Sequence, residues 1–121
     1  MKAKTKESEH DIQCAFVKWF RMWHPKLLIF AIPNGGHRHF LTAVKLKNEG
    51  ALAGIPDLLV ATEKGAFFIE MKTTKGRLSS QQILVKEKLN GLGYDVLVCR
   101  GLYEAIDLTT KKINQMQAAN D

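Results

Sequence analysis

The sequence predicts a single α/β domain in which a mixed sheet of about four strands is flanked by helices. Three observations support this fold class. A chain of 121 residues has room for one domain. Along the chain, apolar residues alternate between helical spacing and the short runs typical of buried strands. Two of these runs are joined by a short polar turn, which favours an antiparallel hairpin.

The first helix is predicted to begin after Ser8, a suitable N-cap, and to end before Pro25. Its apolar residues recur at the spacing of one helix face: Ile12, Phe16, Trp19, Phe20 and Trp23. The four aromatic rings could instead form a platform on which nucleic-acid bases stack. At helical spacing we expect these rings to belong to the core.

The middle of the chain predicts a strand, a second helix and the hairpin. The apolar run 27–32 predicts a buried strand and is followed by a turn at 33–36. The segment 39–48 can form a helix, which the glycines after it would end. Strands over 57–61 and 66–72 then flank the polar turn.

The last third of the chain predicts a helix, a strand and a final helix. The third helix follows the N-cap Ser79 and ends near Gly91. The fourth strand covers 95–99, and the last helix begins at about residue 102. We expect one domain over the whole chain, with a core from about 7–107 and a polar C-terminal tail.

Charge and composition narrow the class of protein. The net charge of +6 favours an acidic partner such as nucleic acid. With 45% apolar and 25% charged residues the composition is that of a folded protein, which excludes disorder for most of the chain.

The cysteines and the N-terminus predict the compartment. Cys14 and Cys99 lie in separate apolar runs without the spacing of a zinc or redox site, so both are predicted to be reduced core residues. The basic N-terminus is followed by acidic residues, and no apolar run reaches the roughly 18 residues of a membrane span. We therefore expect an intracellular, cytoplasmic protein with no membrane partner.

The most informative residues lie across the predicted hairpin, where Pro56-Asp57 faces Glu70-Met71-Lys72. Side chains alternate along a strand, so Glu70 and Lys72 share one face and Met71 lies on the other. With a two-residue turn, Asp57 lies directly opposite Glu70, and paired Cβ atoms are about 4.5–5.5 Å apart. A three-residue turn would place Met71 there and divide the acids between the two faces.

Two carboxylates this close repel each other, so the pair is stable only if a cation lies between them or one of them is protonated. Oxygen ligands without clustered His or Cys favour Mg²⁺ or Mn²⁺. Such a site, with Lys72 beside it, suits phosphodiester hydrolysis. The alternative is a surface hairpin in which Glu70 pairs with Lys72 or Lys64.

Several motifs carry a resemblance to a known family. Gly54-Ile55-Pro56-Asp57 followed by Glu70-Met71-Lys72 resembles the PD-(D/E)xK nuclease core. Further blocks make the match over about 7–101 similar to the VRR-NUC family, in its stand-alone viral or bacterial form. These blocks are Glu9-x-x-Ile12-Gln13, Pro33-Asn34-Gly35-Gly36 and Gly76-Arg77-Leu78-Ser79-Ser80-Gln81-Gln82.

The resemblance implies a restriction-endonuclease-like core and a set of site residues. Asp57 and Glu70 would be metal ligands, the backbone carbonyl of Met71 a third ligand, and Lys72 the catalytic lysine. Glu9 matches a first-helix acid that approaches the metal, as a direct ligand or behind the ligands. From sequence alone, Glu9 could equally be a solvated acid in the first helical turn.

A glutamine after the core completes the implied catalytic set. Gln82 matches it in the pattern, although Gln81 is adjacent and only one of the two can face the site.

Basic and loop residues near the site predict a DNA-binding surface. The backbone of Asn34 and Gly35 could approach a phosphate or could form only a tight turn. The predicted nucleic-acid-binding residues are Asn34, Gly35, His37, Arg38, His39, Lys45, Lys47, Lys75 and Arg77.

The sequence therefore predicts a Mg²⁺- or Mn²⁺-dependent, structure-selective DNA endonuclease. The resemblance further implies a homodimer that acts on branched DNA such as a Holliday junction. Flap, nicked or linear duplex substrates remain alternatives within the same fold. A basic DNA-binding module without catalysis is the alternative from another class.

Overall fold

Four strands form one mixed sheet in the order β1-β2-β3-β4, as seen in a computed structural model that describes residues 7–33 and 40–119. The predicted α/β fold class is confirmed, and apart from the end of the last helix the elements begin and end within a residue or two of the predicted positions. In chain order they are α1 Glu9–Trp23, β1 Leu28–Ala31, α2 Phe40–Asn48, β2 Leu58–Thr62, β3 Gly65–Lys72, α3 Ser80–Gly91, β4 Val96–Arg100 and α4 Leu102–Ala118.

The β2–β3 hairpin has the register that the acidic pair requires. Thr62 pairs with Gly65 across a two-residue turn, and Leu58 pairs with Ile69. The Thr62 hydroxyl donates to the Gly65 carbonyl at 2.9 Å and accepts from the Lys64 N–H at 3.1 Å. The same register, continued by one residue, sets Asp57 opposite Glu70.

The other two strands extend the sheet on either side of the hairpin. β1 pairs antiparallel with β2, and β4 pairs parallel with β3. The N–H of Ile32 donates to the Asp57 carbonyl at 2.8 Å, so by alternation the backbone groups of Ile29 point to the free edge of β1. There the Arg21 guanidinium donates to the Ile29 carbonyl at 3.3 Å.

The core lies between α1, α4 and one face of the sheet. Phe16 and Phe20 of α1 are fully buried there, as predicted, and Trp19 packs against them. Trp23 is 68% exposed, so the expectation that it belongs to the core is wrong. It is the last residue of α1, where the chain turns away toward Pro25.

Two further expectations are corrected by the packing of the helices. Cys99 is buried, but Cys14 is exposed because it lies on the outer side of α1, next to His10 one turn earlier. The polar tail expected after about residue 107 is instead helical to Ala118, and Ile113 within it is buried in the core.

The opposite face of the sheet carries Glu70 and Lys72, and α3 begins beside it. None of the α3 side chains is buried, and Ile83 and Leu84 are among its exposed apolar residues. Its N-terminus is held by a capping box between Ser79 and Gln82. Local capping thus places the start of α3, and with it Gln82, next to the acidic pair.

Candidate active site

The acidic pair lies at the C-terminal end of β3. Glu70 is 3% exposed and Lys72 is 7% exposed, while Met71 between them is buried on the core face. Asp57 precedes β2, and its Oδ2 accepts a hydrogen bond from the Met71 N–H at 2.7 Å. This bond fixes the Asp57 carboxylate against β3, beside Glu70.

The charge state of Glu70 follows from its surroundings. Burial raises its pKa to about 9, and the negative charge of Asp57 and a hydrogen bond with it act in the same direction. Lys72 opposes the shift, and the charge of Glu9 adds weakly to it. Without a metal, Glu70 therefore keeps its proton at neutral pH.

Lys72 is held in place through its backbone and its neighbours. Its Nζ lies 4.0 Å from Glu70 Oε1, and its carbonyl accepts from the Gly101 N–H at 2.9 Å. A Cβ built on Gly76 would lie 3.2 Å from the Lys72 Cβ, so the turn after β3 folds closely over this lysine. The ammonium group is thereby kept beside the acids.

Of the two candidate glutamines, the structure brings Gln82 to the acidic pair. Its Nε2 donates to Glu70 Oε1 at 3.1 Å, and its Oε1 accepts from the Ser79 N–H at 2.8 Å. The side chain of Gln81 is exposed. Gln82 therefore has two tasks, since it caps α3 and contacts the Glu70 carboxyl group.

Gly54 sets the distance between the loop before Asp57 and α3. Its φ is +87°, and a Cβ there would lie 2.6 Å from the backbone C and O of Gln81. Only glycine suits both the left-handed conformation and this close approach. The sequence identified Gly54 as part of a motif but gave no sign of its contact with α3.

Glu9 lies in the first turn of α1 and is exposed. Its charge reaches Glu70, as the pKa of that residue shows. Among residues 7–33 and 40–119, however, no three acidic, His or Cys side chains come together as a metal-binding group. The structure therefore brings Glu9 toward the site without adding it to the pair.

Oxygen atoms at the site match the preference of a small divalent cation. The Met71 N–H points toward Asp57, and because the N–H and C=O of one strand residue point to the same side, its carbonyl does so too. Asp57, Glu70 and this carbonyl are hard oxygen donors of the kind that hold Mg²⁺ or Mn²⁺. A cation bound between the two carboxyl groups would take the place of the proton that Glu70 otherwise keeps.

The predicted DNA-binding residues divide into two groups. Lys45 and Lys47 are exposed in the last turn of α2, and Lys75 and Arg77 are exposed in the loop between β3 and α3. The remaining ones lie outside the residues that the structure describes: Asn34, Gly35, His37, Arg38 and His39.

Comparison with known proteins identifies the class and then the family. A solved structure described as a "VRR_NUC domain protein" matches with a TM-score of 0.71 and 21% identity over 91% of each chain, which shows a common α/β fold. The family model described as "VRR-NUC domain" matches residues 2–102. The chain therefore belongs to the VRR-NUC domain family, as its motifs predicted.

Two searches gave no match. No curated protein matches the chain. Within the described ranges, no helix has the length and apolar character to cross a membrane.

Proposed function

We propose that this protein is a metal-dependent DNA endonuclease that hydrolyses phosphodiester bonds. The observation that carries the proposal is the half-buried Asp57 beside the buried Glu70, with the Lys72 ammonium next to them. Mg²⁺ or Mn²⁺ would be held by these two carboxylates and by the Met71 carbonyl. Such an ion, when bound, polarises a phosphoryl oxygen and lowers the pKa of a water molecule.

The chain's own residues orient the reacting groups. The Met71 N–H holds the Asp57 carboxylate, and the Gln82 amide holds that of Glu70. Lys72 is placed to offset negative charge that develops on the phosphate in the transition state. The global charge of +6 favours DNA over other phosphodiesters of low charge.

The finer form of the proposal is a homodimer that cuts branched DNA, such as a four-way junction. Two active sites in one assembly suit a substrate with two symmetry-related strands. Support for a dimer comes from the apolar side chains that the site face of the sheet exposes. Leu28 is 58% exposed, Phe30 42% and Tyr94 46%.

A cleavage assay tests both levels of the proposal. Four-way junction, flap, single-stranded and linear duplex DNA would each be incubated with Mg²⁺, Mn²⁺ or EDTA. We expect cleavage with either metal, none in EDTA, and the fastest cleavage of the junction. Metal-dependent cleavage of flap or linear DNA alone would retain the nuclease and overturn the choice of substrate.

The Asp57→Asn and Glu70→Gln variants should lose at least about 100-fold in cleavage rate, because each removes a charged oxygen ligand. Both should still bind DNA. Asp107→Asn, which neutralises an exposed acid on α4, is the matched control and should cut at the wild-type rate. A folded Asp57→Asn or Glu70→Gln protein that cuts normally with added metal would show that the site is elsewhere.

A basic DNA-binding module without catalysis is the second candidate, favoured by the net charge of +6. It predicts binding that depends on salt, does not respond to metal and is never followed by cleavage. Retention of the whole Asp57, Glu70 and Lys72 arrangement argues against it.

A further inference from the structure

Arg100 shares the site face of the sheet with Lys72. It is the last residue of β4 and pairs with Lys72 in the parallel ladder. Paired residues of neighbouring strands point to the same face and are about 4.8 Å apart. Arg100 is exposed, whereas Lys72 is buried, so the guanidinium lies toward solvent beside the acidic pair.

The guanidinium of Arg100 is anchored by one hydrogen bond, which leaves its other N–H donors available. Its Nε donates to the Gly76 carbonyl at 3.1 Å. The Gly76 N–H donates to the Thr73 carbonyl at 3.0 Å, which closes a tight turn after β3. An arginine has five N–H donors in a planar fork, and this contact occupies a single one of them.

The anchor attaches Arg100 to a turn that carries two further basic residues. Lys75 and Arg77 directly flank Gly76 in the chain and are exposed. Ion pairs within the described ranges join Lys72 to Glu70, Lys111 to Asp107 and Lys112 to Asp95. None includes Lys75, Arg77 or Arg100, and the nearby Glu104 carboxylate accepts from the backbone N–H of Arg100. Glu7 lines the same pocket as Lys75 without an ion pair between them, so the cationic side chains around this turn can still serve an external anion.

We propose that Arg100, together with Lys75 and Arg77, binds a DNA backbone phosphate next to the one that is cleaved. The inference rests on the proposed nuclease function and adds a binding residue to it. The planar guanidinium can present its two terminal nitrogens to phosphate oxygens while its Nε keeps the turn in place. Arg100 would thus bind the substrate and, through the same guanidinium, hold the turn that folds over Lys72.

Salt dependence of DNA binding tests this role independently of cleavage. Fluorescently labelled four-way junction and linear duplex would be titrated in EDTA at several salt concentrations. Arg100→Ala should weaken binding about tenfold at low salt and reduce the slope of log K against log[salt] by about one. Loss of a merely structural contact would leave that slope unchanged.

Two further variants complete the test. Arg100→Lys keeps the charge and loses the planar fork, so it should keep the wild-type slope. Lys111→Ala, which removes an exposed cation on α4, should change neither affinity nor slope. If Arg100→Ala does not fold, as judged by its unfolding transition, Arg100→Gln supplies the neutral variant.

The outcomes separate this inference from the function on which it rests. Wild-type affinity and slope in Arg100→Ala would overturn the role of Arg100 and leave the nuclease proposal intact. A slope reduced equally in Arg100→Lys would also overturn it, because the charge is retained there. A wild-type protein that neither binds nor cuts DNA would contradict both proposals.

Discussion

Glu70 shows how a single buried carboxyl group links the stability of the fold to pH. Its pKa of about 9 lies above the ordinary glutamate value of 4.5 because the group is buried next to Asp57. Between these two values the folded chain keeps a proton that the unfolded chain has lost. The stabilising contribution of Glu70 is therefore complete below pH 4.5 and is lost as the pH rises toward 9.

Metal-free protein should accordingly become easier to unfold as the pH rises through the neutral range. The urea midpoint, measured in EDTA, should fall between about pH 5.5 and about pH 8. Glu70→Gln has no such proton and should show a smaller fall, whereas Glu87→Gln, an exposed acid on α3, should behave like wild type. Equal pH dependence in Glu70→Gln and wild type would contradict the assignment.

The two cysteines should differ sharply in reactivity. Cys99 is buried, and burial raises the pKa of its thiol to about 12, whereas Cys14 is exposed. Only the thiolate reacts rapidly with a disulfide reagent. Native protein should therefore titrate one thiol per chain with such a reagent, unfolded protein two, and native Cys14→Ser none. Rapid modification of native Cys14→Ser would mean that Cys99 is accessible.

At the scale of elements, the hairpin and α3 meet through Gly54. Gly54→Ala adds a Cβ 2.6 Å from the Gln81 backbone. The alanine would also have to adopt the left-handed conformation of this position. We expect it to lower the free energy of unfolding by about 1–3 kcal/mol and to lower cleavage, since Gln82 is displaced from Glu70.

Gly93 provides the matched control for that substitution. Its φ of +95° is similar, but a Cβ there meets nothing within 4 Å. Gly93→Ala should therefore show the conformational cost alone, by urea unfolding, and keep normal cleavage. Equal effects of Gly54→Ala and Gly93→Ala on cleavage would contradict the role of the contact with α3.

Local sequence patterns predicted the helices and strands better than they predicted which side chains those elements bury or contact. A two-residue turn fixes the hairpin register, so the opposition of Asp57 and Glu70 could be predicted from sequence. Helical spacing identified the apolar face of α1 but not the point at which other elements stop packing against it. For this reason Trp23 was wrongly expected in the core. The contact of Gly54 with Gln81 joins distant parts of the chain and leaves no periodic signal.

The whole molecule combines a positive net charge with exposed apolar side chains on the site face of the sheet, namely Leu28, Phe30 and Tyr94. If that face joins two copies, Phe30→Asp should yield monomers in sedimentation velocity, because it places a charge in an apolar interface. Cleavage of a junction on both strands should fall with it. Tyr103→Asp, an exposed aromatic residue on α4, is the control and should leave the dimer intact. A Phe30→Asp protein that sediments like wild type would exclude this face.

Arg21 also limits how copies of this molecule can associate. Because its guanidinium occupies the Ile29 carbonyl, the free edge of β1 offers an incomplete row of backbone partners to another strand. Growth of the sheet from copy to copy, the route by which exposed edges lead to fibrous aggregates, is thereby obstructed.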